Sequence, residues 1–213
     1  SPEFMQATDT LNVEENPTEP TREAPVPAAI RMGIVGVGGA GLNLLSALNT
    51  DLPCWAVDTD ARAFQNAPQL RPVWVGHSLT RGLSTGGELD LGRQCALKDK
   101  SLLEEALRGL DGVILITGLG GGTGSGAAPI VAELAAAQGA FVLVFATLPF
   151  PFEGKRRAEQ ADLSLLALRK TADAVIPLPN TLLLQQLPES TPLSEAFVFS
   201  AQWVAECIRA FTD

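Results

Sequence analysis

The run Gly118-Leu-Gly-Gly-Gly-Thr-Gly-Ser-Gly126 constrains this chain more than any other stretch. Every residue in it except Leu119 is Gly, Ser or Thr. It follows the apolar, strand-like run Val113-Ile-Leu-Ile-Thr117 and, through Ala127-Ala128-Pro129, leads into the alanine-rich helical pattern Ile130 to Ala137. At a strand-to-helix junction, a loop this poor in side chains exposes consecutive backbone N–H groups with the helix dipole behind them. Such a loop cradles phosphate.

A second glycine cluster lies at a similar junction. Ile34-Val35 leads into Gly36-Val-Gly-Gly-Ala-Gly41, and Leu42 to Leu48 then reads as a short amphipathic helix. Gly36, Gly38 and Gly41 fit G-x-G-x-x-G between a strand and a helix. Cys54-Trp-Ala-Val57 reads as the next strand, with Asp58 and Asp60 at its carboxyl end. Alone, this half predicts a dinucleotide oxidoreductase, with Asp58 on a ribose hydroxyl. A second phosphate loop about 80 residues later does not belong to that fingerprint.

From Arg31 onward strand and helix patterns alternate. Strands are predicted at Met32–Val37, Trp55–Val57, Val73–Val75, Val113–Thr117, Phe141–Ala146 and Ala174–Pro177. Helices are predicted at Leu42–Leu48, Ser101–Leu110, Pro129–Ala137, Gly154–Lys170 and Ser194–Phe211. Nearly continuous Val/Ile/Leu/Phe runs are the mark of parallel strands buried on both faces. The expectation is an α/β domain, a mostly parallel sheet with helices on both faces. Its ligand should sit at the carboxyl ends of the strands, where both glycine loops fall.

Composition narrows the function. The chain has 213 residues, 15 Lys and Arg against 24 Asp and Glu, and a formal net charge of −9. A nucleic-acid partner wants clustered cations, and Lys155-Arg156-Arg157 is the one dense basic cluster. Cys54, Cys95 and Cys207 are widely spaced and His77 is the single histidine, so neither a protein-built metal site nor a Cys/His catalytic pair is expected. The odd cysteine count predicts reduced thiols and a cytoplasmic protein. No apolar run has the length of a membrane span and no signal peptide is visible, so no membrane insertion is expected. Ser1 to Phe4 reads as an expression-tag remnant, and residues 5–29, rich in Pro, Glu and Thr, as a disordered extension. The domain itself is expected over residues 30–213.

These motifs together resemble the tubulin/FtsZ superfamily of assembling GTPases, FtsZ most closely, over about residues 31 to 211. Gly120-Gly-Gly-Thr-Gly-Ser-Gly126 is similar to the family's glycine-rich phosphate loop, and Gly36 to Asn43 to its first nucleotide loop. Val57-Asp-Thr-Asp-Ala-Arg62 resembles its second loop, and Thr80 to Gly87 a diverged third. Pro149-Phe-Pro-Phe-Glu-Gly-Lys-Arg-Arg157 and Leu178-Pro-Asn180 match later segments in the same order.

The resemblance implies a Rossmann-like GTP-binding domain that ends in the family's central helix, and a role in filament assembly and bacterial cell division. GTP or GDP would be held with Mg²⁺ bridging phosphate oxygens. Backbone N–H groups of Gly120, Gly121, Gly122, Thr123, Gly124 and Ser125 would bind the terminal phosphates, with the Thr123 and Ser125 hydroxyls as further donors. A large residue at Gly122 or Gly124 would then collide with phosphate. Gly38, Gly39 and Ala40 would face the α and β phosphates. By the same resemblance Asn43 and Asn180 contact the base, Glu153 the ribose hydroxyls, Arg157 the phosphate charge, and Phe197 packs on the base; Phe197 also fits a core position of an amphipathic helix.

Three departures accompany the resemblance. Ala201 stands where the family often has an Asp or Asn that reads guanine, and Gln202 points about 100° away on the helix. Glu88-Leu-Asp90 replaces the usual Asn-Pro-Glu and places an acid near the phosphates. The family's acidic catalytic loop and second domain, which follow the central helix, are absent from the 213 residues. The expectation is guanine-nucleotide binding with little self-stimulated hydrolysis and no catalytic residue in this chain. Its partners would be copies of itself or longer FtsZ-type subunits, head to tail. A short, non-hydrolysing relative that binds nucleotide or caps a filament is the alternative.

Overall fold

Alternate residues of the central strands feed two separate cores. Val35, Val37, Val113 and Leu115 pack on one face of the sheet, and Ile34, Ile114 and Ile116 on the other. Buried on both faces, such strands need helices above and below. The computed structural model describes residues 29–65 and 67–212. The tag remnant at 1–4 and the extension at 5–29, Ala29 excepted, lie outside the described residues.

The strands are β1 (Met32–Val37), β2 (Cys54–Asp58), β3 (Arg71–Trp74), β4 (Gly112–Gly118), β5 (Phe141–Leu148) and β6 (Ala174–Pro179). They form one six-stranded sheet in the order β3-β2-β1-β4-β5-β6, parallel throughout. The helices are α1 (Gly38–Ser46), α2 (His77–Thr80), α3 (Leu89–Lys98), α4 (Lys100–Leu107), α5 (Gly122–Ala137), α6 (Lys155–Thr171), α7 (Asn180–Leu184) and α8 (Leu193–Thr212). One face carries α3 to α6, whose Cys95, Leu103, Val131 and Leu165 enter the first core. The other carries α1 and α8, whose Leu45, Val204 and Ile208 enter the second. Cys54, Cys95 and Cys207 are free thiols, and burial raises the pKa of each. Among the described residues no helix is long and apolar enough to cross a membrane.

Helix α1 starts at Gly38 instead of Leu42, α2 and α7 have no counterpart in the sequence expectation, and α5 and α3 depart from it most. Helix α5 starts at Gly122, inside the glycine run, well before Pro129. Proline has no N–H to give the carbonyl four residues back, which is Ser125. The hydroxyl of Ser164 on α6 donates to that carbonyl at 2.8 Å, so the helix continues through the proline with no acceptor orphaned. Helix α3 is absent from the sequence reading because Gly92 interrupts its pattern. That glycine is a packing requirement: a Cβ there would meet the main chain of Gly122 and, at 3.0 Å, the Cα of Thr123.

Candidate functional site

The strand order reverses between β1 and β4, since β1 pairs with β2 on one side and β4 on the other. That switch point is where an open α/β sheet leaves a crevice at its carboxyl edge. Helices α1 and α5 begin there, each directly after its strand or one short turn later. Neither has a side-chain N-cap or an acidic residue in its first turn, so their leading N–H groups lack side-chain partners. A cavity of about 870 Å³ opens at this point, lined by Gly38 to Ala40 and Gly121 to Gly124 among others.

The glycines divide into two kinds. Gly38 adopts φ +74°, and a Cβ on it would lie 2.8 Å from the nitrogen of Gly124. The two glycine loops therefore touch main chain to main chain. A Cβ on Gly124 would lie 2.5 Å from the carbonyl oxygen of Gly118, and one on Gly122 would meet Thr85 and the backbone of Glu88 at 2.7 and 2.8 Å. Larger residues at 122 and 124 would thus already collide with the protein itself. Gly39 and Gly121 differ, because a Cβ on either meets nothing within 4 Å. These two open onto the cavity.

Two expected contacts sit elsewhere. Gly120 and Ser125 do not line the cavity. The Ser125 hydroxyl, 1% exposed, accepts the Gly120 N–H at 2.7 Å, while Gln160 of α6 donates to the Gly120 carbonyl at 3.0 Å. Ser125 shapes the loop. Gln160 also accepts the first N–H of α3, from Leu89, at 3.1 Å. Nothing in the sequence pattern singles out Gln160, because its partners come from two other segments.

The remaining expected residues do border the cavity: Asn43, Asp58, Glu153, Arg157, Asn180 and Phe197. Asp58 is almost fully buried, and its Oδ1 accepts the N–H groups of Thr59 at 2.7 Å and Asp60 at 3.0 Å. Desolvation pushes its carboxyl above the usual range, against the pull of those bonds. Next to it the hydroxyls of Thr59 and Thr123 meet at 3.1 Å, with Thr85 at 3.5 Å from Thr123. Three loops, distant in sequence, join at this buried threonine cluster. Asp60 grips Arg62 with both oxygens, at 3.0 and 2.7 Å, which lowers the Asp60 pKa.

Glu153 accepts the Phe150 N–H at 2.6 Å and pairs with Arg157 at 2.9 Å. At the α7–α8 end, Ser200 donates to Oδ1 of Asn180 at 3.2 Å, and Ala201, which also packs against the second core, lines the cavity. Phe197 is 43% exposed and packs edge-on against Phe150 at 5.2 Å, so it is a wall residue and not a core one. Glu88 and Asp90, expected near phosphate, turn away. Glu88 pairs with Arg156 at 2.5 Å and Asp90 with Gln94 at 2.6 Å, and neither lines the cavity.

The family model of the tubulin/FtsZ family, GTPase domain, matches residues 31–188, which include both glycine loops and the sheet. The chain belongs to the tubulin/FtsZ family. That assignment sets aside the dinucleotide oxidoreductase reading. Cell division protein FtsZ 1 of Pyrococcus abyssi is 38% identical over 187 residues, covering 86% of this chain and 50% of the relative. Cell division protein FtsZ of Pseudomonas aeruginosa is 37% identical over 186 residues, covering 84% and 47%. Among solved structures, an empty FtsZ dimer from M. jannaschii has a TM-score of 0.81 at 33% identity, covering 84% of this chain and 53% of that one. CetZ2 from Haloferax volcanii, in a GTPγS-bound protofilament, has a TM-score of 0.76 at 29% identity, with 84% and 57% covered. The chain spans about half the length of the curated relatives it matches. The tubulin/FtsZ fold thus explains the sheet order and the place of the cavity, at the carboxyl ends of β1 and β4.

Proposed function

We propose that this chain binds GTP or GDP as the nucleotide-binding domain of an FtsZ-like cytoskeletal protein of cell division. The observation that carries the reading is the pair of interlocked glycine loops, with Gly39 and Gly121 open to the cavity and two helix N-termini behind them. Main-chain donors in that arrangement suit the terminal phosphates. Arg62 and Arg157 border the same cavity and would offset their charge. Among the described residues no cluster of His, Cys, Asp or Glu could hold a metal by itself, so Mg²⁺ would be held chiefly through phosphate oxygens. The base would lie toward Asn43, Asn180 and Phe197, and the ribose near Glu153 once the nucleotide competes with Arg157 for that carboxylate.

Such a domain would assemble in the cytoplasm, head to tail with its own copies or with longer subunits of the FtsZ type. Little hydrolysis is expected from the chain alone. The three carboxylates lining the cavity, Asp58, Asp60 and Glu153, each already accept hydrogen bonds from protein donors, which also favours the second reading, a binding or capping module. Calorimetric titration with GDP, GTP and ATP in Mg²⁺ tests the binding. Micromolar or tighter affinity for guanine over adenine nucleotides is expected, and absence of binding would leave a structural relative that acts through protein contacts. Phosphate release on adding longer FtsZ subunits would separate a competent domain from a capping module.

A further inference from the structure

We propose that the outward face of α6 is a docking surface for a second copy of this chain, paired about a two-fold axis with the two helices antiparallel. Glu159, Leu163, Leu166 and Lys170 recur at spacings of four, three and four residues, which keeps them within an arc of about 60° on the helix. All four are exposed, Leu163 by 62% and Leu166 by 57%, and none lines the cavity. On the opposite face Ala161, Leu165 and Leu168 fill the first core. Folding therefore buries one side of α6 and leaves two neighbouring leucines in water on the other. Covering them removes apolar surface from solvent.

The charges around the leucines decide the occupant and its direction. Reversed end to end about the midpoint of Leu163 and Leu166, the face becomes its own complement. Leu163 then meets Leu166 of the second copy, and Glu159 meets Lys170. Asp162 and Arg169 share one flank of the face, and the two-fold axis brings that flank against itself, so Asp162 comes opposite Arg169. Each ion pair occurs twice. A parallel alignment would instead set Glu159 on Glu159 and Lys170 on Lys170, where like charges repel. Asp162, Arg169 and Lys170 make no hydrogen bond or ion pair among the described residues, and Glu159 is held by the exposed Lys155 at 3.5 Å. These charges are free to pair across the contact. Because α6 joins the parallel strands β5 and β6 it runs against them, so the paired copies point their cavities in opposite directions. Such a contact closes at two chains, whereas head-to-tail assembly is open-ended. One helix pair is at the small end of specific interfaces, which gives a weak dimer with a Kd of about 10–100 μM.

Sedimentation equilibrium of the chain without nucleotide, over a range of protein and salt concentrations, tests this. The wild type is expected to reach twice the monomer mass and no more, with a Kd that rises with salt. Glu159→Lys and Lys170→Glu each set like charges face to face, and each should weaken the dimer by about tenfold. Together they exchange the two charges, and the double variant should return to within about threefold of the wild-type Kd. Leu166→Asp should leave a monomer. The three positions are exposed, so Tm should hold in every variant. A wild type still monomeric at about 500 μM would overturn the inference, and that result stands even if a variant fails to fold. So would a double exchange that recovers nothing, or a dimer indifferent to Leu166→Asp. Nucleotide has no part in these readings, so failure of the GTP reading would leave them intact.

Discussion

Where β1 and β4 end, the cavity wall is main chain; where β6 ends, it is side chain. At the first, Gly39 and Gly121 leave peptide groups bare, and the loops lock together through Gly38 and Gly124. At the second, Asn180, Phe197 and Ser200 carry the wall, Ser200 bonded to Asn180 and Phe197 packed on Phe150. A phosphate needs only donors and a positive dipole, which any sequence of glycines at a helix start supplies. A base needs particular donors and acceptors at particular places. The main-chain end is accordingly the more rigid part of the design, and the side-chain end the part that single substitutions can retune.

The largest effect should come from breaking the main-chain end outright. Gly122→Val drives a side chain into Thr85 and the Glu88 backbone, so the fold should lose about 3 kcal/mol or more, read as a fall in Tm. Unchanged Tm would mean that the loop gives way easily. Gly121→Val sharpens the distinction, because its backbone, φ −84° and ψ 178°, suits valine and the space beyond is open. Stability should hold while nucleotide affinity falls by about a hundredfold, or about 2.7 kcal/mol. Next comes Ser125→Ala. It leaves the buried Gly120 N–H without its acceptor, costing about 1–3 kcal/mol of stability, with the loss of affinity following only from the loosened loop. Equal loss of affinity without loss of stability would put the hydroxyl on the ligand after all.

Asp58→Asn should have the smallest effect, and one that depends on pH. Burial raises the Asp58 pKa, so the folded state favours the neutral acid, and its contribution is fully present below the unfolded value near 3.8. It is lost as pH rises through the raised folded value. An asparagine keeps an oxygen for the Thr59 and Asp60 N–H groups without the buried charge. The variant should therefore gain stability over the wild type at neutral pH, and the gain should vanish toward pH 3 in paired thermal melts. A gain independent of pH would mean that the carboxyl does not titrate in the fold as described.

The contrast between the two ends also explains what was legible in the sequence. All six strands were readable from their apolar runs, and both phosphate loops from their glycines. The starts of α4, α6 and α8 were readable to within one residue, but those of α1 and α5, inside the glycine loops, were not. Glycine is a poor helix former, and only packing against α3 and β4 turns Gly122 to Gly126 into the first turns of α5. Edge strand β3 came out shifted because its Arg71 and Trp74 are exposed and blur the pattern. At the site, thirteen of the fifteen expected residues border the cavity. The exceptions, Gly120 and Ser125, belong to the same motif but face inward, which residue type alone does not reveal. Thr59, Thr85, Gln160 and Ser200 were missed for a related reason: each acts through a partner at least 20 residues away.

The most direct test of the main-chain cradle is the GDP affinity of the wild type and of Gly121→Val, measured by calorimetry at matched thermal stability. The proposed function predicts micromolar or tighter binding by the wild type and a loss of about a hundredfold in the variant, with the two melting together. Equal affinities in two equally folded proteins would remove the glycine loop from the site.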